Sequence, residues 1–123
     1  MTALLLAALV AIESGGRCDA VGDGGRAVGP LQIHETTVFD VNRIAGTRFI
    51  LGDRTDLRKS EAMARIYLGH YVTRERLGRE PTMADFARTW NGGPAGHRKP
   101  STLGYWAKVR QYVSSHQHVA ARP

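Results

Sequence analysis

The sequence predicts a mainly helical fold (mainly α, α+β), with about five helices and a glycine-rich loop or small hairpin after the first. Three observations carry this. An apolar run, LLLAALVAI, stops abruptly at Glu13-Ser14-Gly15-Gly16 and gives way to the glycine-rich VGDGGRAVGPLQI. Met63, Ile66, Tyr67, His70 and Tyr71 recur at helical spacing. Pro81-Thr82-Met83-Ala84-Asp85 then has the form of a helix start, with Thr82 as N-cap and Asp85 in the first turn.

Taken in order, Leu4–Ile12 reads as a buried helix ending in Glu13. It is too short to span a membrane. As a secretory leader it would lack a basic residue before the apolar stretch, and cleavage would fall beside Glu13. Gly15 to Gly29 is loop, with a small hairpin at Asp23-Gly24-Gly25. A second helix is expected from Leu31 to Ala45, with Pro30 in its first turn and Gly46 as its stop. Ile33, Val38, Val41 and Ile44 give it a partial apolar face.

Thr47 to Leu57 reads as a connection, with a short extended piece at Phe49-Ile50-Leu51. The third helix continues its pattern to Leu77, before Gly78. The fourth carries Phe86, Ala87 and Trp90 inward and ends at Asn91-Gly92-Gly93-Pro94. After a loop, AGHRKPS, the last helix starts at Thr102, with Leu103, Trp106, Val109, Tyr112 and Val113 as its stripe. Residues 1–113 form one expected domain and 114–123 a frayed tail.

The chain has 123 residues, 42% of them hydrophobic, which suits one domain with a single core. Its one cysteine, Cys18, excludes an internal disulfide framework. The net charge of +6, from 17 Lys and Arg against 11 Asp and Glu, favours a polyanionic partner. The basic residues are scattered, and no nucleic-acid fingerprint accompanies them. No histidine pair has metal-site spacing, so no metal and no cofactor are expected.

Two stretches carry chemistry. Glu13 would sit in the last turn of its helix, where the dipole and apolar neighbours both disfavour the charged carboxylate. A carboxylic acid kept protonated there can serve as a general acid. Asp23, in the polar loop beyond, should stay ionised, and two carboxyls in divergent settings are what glycosidic hydrolysis needs. The competing reading makes Glu13 an ordinary helix-end residue and Asp23 a turn former. The second stretch, Trp90-Asn91-Gly92-Gly93-Pro94, leaves an amide and bare backbone on a turn that a polar ligand could approach. Trp90, Tyr105 and Trp106 offer flat faces on which sugar rings stack; equally, the tryptophans are core and Asn91 a cap.

Glu13-Ser14-Gly15, Gly29-Pro30-Leu31-Gln32-Ile33, Ala87 to Pro94 and Thr102 to Val109, in that order, resemble the pattern of invertebrate-type lysozymes. The order Glu-Ser, Gly-x-x-Gln-Ile, Asn-x-Gly-Pro also resembles the soluble lytic transglycosylase and goose-type lysozyme group. The resemblance spans Ala11 to Val109. It implies the lysozyme-like fold and cleavage of the β-1,4 bond between N-acetylmuramic acid and N-acetylglucosamine. It implies Glu13 as the acid and Asp23, with Asp19 as fallback, as the second carboxylate. Ser14, Gln32, Trp90, Asn91, Gly92 and Tyr105 are the implied glycan contacts. Invertebrate-type members are dense in disulfides, and the single cysteine here points to a bacterial or phage-like relative.

The expected partners are peptidoglycan strands and the anionic bacterial wall, met by a monomer in the periplasm or outside the cell, with neither nucleic acid nor stable membrane insertion. Without a second carboxylate in reach, Glu13 alone would give 1,6-anhydro products, as a lytic transglycosylase does. The rivals are a non-catalytic wall-binding module and, on charge alone, a nucleic-acid-binding helical domain.

Overall fold

Helix α1 (Ala3–Ser14) opens the chain. Thr2 starts it, its hydroxyl accepting the Leu5 N–H at 3.1 Å and its carbonyl the Leu6 N–H at 3.1 Å. Leu5, Leu6, Ala8 and Leu9 are buried, the i, i+3, i+4 stripe of a packed helix, and Gly15 at φ +67° ends it. This computed structural model describes residues 1–120. Their contacts group into two compact units, Glu13–His70 and Met1–Ile12 with the chain from Tyr71 onward.

In the unit Glu13–His70, the glycine-rich loop is a small hairpin. Strand β1 (Val21–Gly22) pairs antiparallel with β2 (Ala27–Val28) in the register Val21 to Val28 and Gly22 to Ala27. A 3-10 turn over Asp23–Gly25 joins them, as the Asp-Gly-Gly signal predicts. Helix α2 (Glu35–Ala45) begins four residues later than expected. Val28 and Ile33 exchange backbone hydrogen bonds at 3.2 and 3.0 Å, which demands an extended Ile33, and Gln32 before it is at φ +52°. Pro30 therefore serves a turn and not a helix start. Gly46, left-handed at φ +66°, stops α2 as expected.

Of the expected extended piece at 49–51, Ile50 is extended but pairs in no strand, and Leu51 already belongs to a turn. Leu51–Thr55 forms a 3-10 turn, closed by the Asp53 carboxylate accepting the Ile50 N–H at 2.9 Å. Helix α3 (Leu57–Tyr71) buries Met63, Ala64, Tyr67 and Leu68, and Leu31, Ile33, Val38 and Val41 are buried earlier in the same unit.

The predicted third helix does not run on to Leu77. Thr73 adopts an extended conformation and its hydroxyl accepts the Arg76 N–H at 3.2 Å, capping a separate short helix, α4 (Arg74–Leu77). In this unit Asp85 opens α5 (Met83–Gly92), its carboxylate accepting from the N–H and hydroxyl of Thr82 at 2.7 and 2.9 Å. Ala87 is buried and Phe86 and Trp90 half-buried. The expected loop 95–101 is two 3-10 turns, Gly96–Arg98 and Pro100–Thr102. Gly96 has no room for a side chain, since a Cβ would stand 2.1 Å from the Arg88 carbonyl oxygen. Helix α6 (Leu103–Ala120) follows, so the expected tail from 114 is helical as far as 120, and 121–123 lie outside the described residues. Among its described side chains Val109 and Val113 are buried, and Leu103 is exposed. No helix among the described residues is long and apolar enough to cross a membrane.

Candidate functional site

The candidate residues divide between the two units: Glu13, Ser14, Asp23 and Gln32 in one, Trp90, Asn91, Gly92 and Tyr105 in the other. Glu13 is half-buried in the last turn of α1, the position on which its expected role as an acid rests. Ser14 next to it is a brace. Its hydroxyl donates to the buried Pro30 carbonyl at 2.8 Å and accepts the Gly16 N–H at 3.0 Å. The end of α1 is thereby tied to the Gly29-Pro30-Leu31 turn.

That turn is held from several sides. The Gln32 amide donates to the carbonyls of Ala20 and Gly29 at 3.1 and 2.9 Å, and Gly29 N–H donates to Ala20 at 2.8 Å. The Gln32 side chain is so committed to backbone that it acts first as a clamp on the loop. Its Oε1 lies against Gly22, where an added Cβ would come within 2.5 Å. Gly29, at φ +87°, packs its α-carbon onto the Arg54 carbonyl, and a Cβ there would stand 1.7 Å from that oxygen. No other residue type fits.

Arg54 is a residue the sequence did not single out. Its Nε donates to the Leu51 carbonyl at 2.9 Å and one terminal nitrogen to the carbonyls of Ile33 and Arg26, at 3.1 and 3.4 Å. Its own carbonyl accepts the hydroxyl of the fully buried Ser60 at 2.8 Å. A guanidinium presents several donors in a fixed fork, which lets one side chain bind three backbone segments. Asp53 beside it holds its carboxyl below the usual range, because it accepts the Ile50 N–H and lies 3.2 Å from Lys59 Nζ.

Asp23 sits at the start of the hairpin turn at φ +50°, a left-handed setting that Asp tolerates better than most residues. Its carboxylate is exposed, and Oδ2 stands 3.3 Å from Nε2 of His34. His34 is the extended residue just before α2 and was likewise not anticipated. His34, Glu35, Arg26, Arg54, Gly24 and Gly25 line an open pocket of about 360 Å³ beside the turn. Asp19, the alternative carboxylate, is also exposed.

In the other unit, Trp90 and Tyr105 are half-buried and Asn91 is exposed at the end of α5. The Gly92 carbonyl accepts from Lys99 Nζ at 2.7 Å, and its α-carbon faces Thr102, whose methyl would stand 2.6 Å from a Cβ. Among the described residues no group of three or more His, Cys, Asp or Glu is placed to hold a metal ion.

No family model matches the chain. Over 47 residues, 38% of this chain, it is 45% identical to a lysozyme of Magallana gigas, and the match spans one third (33%) of that relative's length. By structure it is similar to a chain of the complex of Aeromonas hydrophila PliI with Meretrix lusoria lysozyme. That likeness has a TM-score of 0.76 and 26% identity, over 90% of this chain and 89% of the other. It is also similar to Tapes japonica lysozyme, with a TM-score of 0.74 and 24% identity over 89% of each chain. The expected fold is the observed one: mainly helical, with one two-stranded hairpin, and lysozyme-like.

Proposed function

We propose that this chain is a glycoside hydrolase of the lysozyme class that cleaves the β-1,4 bond between N-acetylmuramic acid and N-acetylglucosamine in peptidoglycan. The observation that carries the reading is the helix-end carboxyl. Glu13 occupies the last turn of α1, and the serine that follows is fastened to the Gly29-Pro30-Leu31 turn, in a chain similar to bivalve lysozymes. Its single cysteine suits a bacterial or phage-like member that folds on packing alone.

Glu13 protonates the departing glycosidic oxygen as the bond to the anomeric carbon breaks. Asp23 meets the positive charge that develops on the sugar, as nucleophile or as electrostatic partner, and water completes the reaction with Glu13 now acting as base. Trp90 and Tyr105 contribute ring faces for stacking, and Asn91 and Gly92 contribute polar contacts. Ser14 and Gln32 contribute by fixing the loop. The working unit is a single chain acting at the bacterial wall, in the periplasm or outside the cell.

Mass spectrometry of purified peptidoglycan digested by the wild type and by Glu13→Gln tests this. Soluble fragments with reducing muramic acid ends, lost in the mutant, are expected. Fragments lighter by one water would mean that the muramic acid's own hydroxyl closes an anhydro ring, which makes the chain a lytic transglycosylase and removes Asp23 from the chemistry. No fragments from a folded wild type would leave a wall-binding module.

A further inference from the structure

Asp23 is fixed at its backbone and free at its side chain. The hairpin pairing before it and the Arg26 N–H donated to its carbonyl at 3.2 Å hold the left-handed turn in place. The carboxylate itself is 56% exposed, and Oδ1 has no hydrogen-bond partner among the described residues. A carboxylate that must face one developing charge cannot be left to rotate. His34 supplies the missing restraint. Its backbone follows the Val28–Ile33 bridge, and its ring nitrogen Nε2 stands 3.3 Å from Oδ2. As the residue before α2 it makes no side-chain cap, so the ring has no helix-capping duty.

We propose that His34 is a positioning residue that, in its protonated form, holds the Asp23 carboxylate aimed, and so couples turnover to pH. The inference rests on Asp23 being the second carboxylate. Imidazole changes charge between about pH 5 and 8, so the attraction is present on the acid side and fades as the pH rises. The other charges at the pocket are Arg26 and Arg54, which add positive potential, and Glu35, which opposes it.

The test is the pH profile of kcat for the wild type, His34→Gln, His34→Lys and Asp23→Asn on solubilised glycan strands, with thermal melts for each. A general acid that must hold its proton gives every variant an alkaline limb, so the readout is the ratio to wild type. For His34→Gln the deficit is expected to be about fivefold below pH 6, to shrink toward unity above pH 8, and to lie in kcat rather than KM. His34→Lys, which keeps its charge across the range, is expected to match wild type on the acid side and exceed it on the alkaline side. A deficit in His34→Gln that is constant with pH, or confined to KM, overturns the proposal. If that variant does not fold, the absence of an alkaline gain in His34→Lys overturns it equally. Asp23→Asn separates the two levels. Full activity in that variant removes the second-carboxylate reading and the inference together, whereas lost activity beside pH-independent His34 ratios removes the inference alone.

Discussion

At the scale of single residues, Gly29 is the position with the least freedom. Its φ of +87° disfavours any side chain, and the Arg54 carbonyl occupies the space a Cβ would need. Gly29→Ala is expected to cost on the order of 3 kcal/mol in urea unfolding, since backbone would have to yield on both sides. A cost below about 1 kcal/mol would mean that the turn relaxes easily. The sequence made the glycine density visible and with it the loop, and it made Glu13 and Asp23 visible as candidates because carboxyls in contrasting settings are readable from their neighbours. Arg54 and His34 were not readable. Arg54 acts on backbone carbonyls of residues 26 and 33, far from it along the chain, and His34 acts on a carboxylate eleven positions before it. Long-range partners of that kind leave no local pattern. Gln32 shows the same limit from the other direction: its motif is conspicuous, yet its amide is bound to Ala20 and Gly29.

At the scale of elements, the start of α5 is an electrostatic joint. Asp85 is buried, and both its oxygens accept from Arg79 at 2.7 Å in a forked pair, with Thr82 adding two further donors. The Arg79 guanidinium, first, holds the Asp85 carboxyl down to about 2, against burial that pushes it up. Because the folded value lies below the unfolded one, the contribution is fully present above the ordinary carboxylate range. It is lost as the pH falls through about 2. From that shift it is on the order of 2 kcal/mol. Urea unfolding of Asp85→Asn against wild type is expected to show that deficit at pH 7 and little of it near pH 2; a deficit independent of pH would refute the charge argument. This helix start was legible, because Thr and Asp at this spacing solve a local problem within one turn. The start of α2 was not, because a bridge from Val28 claims Ile33. Nor was the interruption at Thr73, where a cap bond competes with continuing a helix that the apolar pattern alone would extend.

At the scale of the whole molecule, the net charge of +6 is spread along the chain and should act as a field more than as a contact. Binding to sedimented bacterial walls at pH 7 is therefore expected to fall several-fold between about 0.02 M and about 1 M salt, as the screening length contracts to about 3 Å. Binding unaffected by salt would assign adhesion to sugar contacts alone. The lysozyme-like architecture follows from elements that local rules specify well, namely buried helical stripes and glycine stops. It stands without the disulfides on which the resemblance would lead one to count. Cys18 is the single thiol in 123 residues, and it is exposed in the loop five residues beyond Glu13. A maleimide dye or nitroxide would attach there and nowhere else, so the native chain already carries a unique spectroscopic address beside the loop where glycan is proposed to bind.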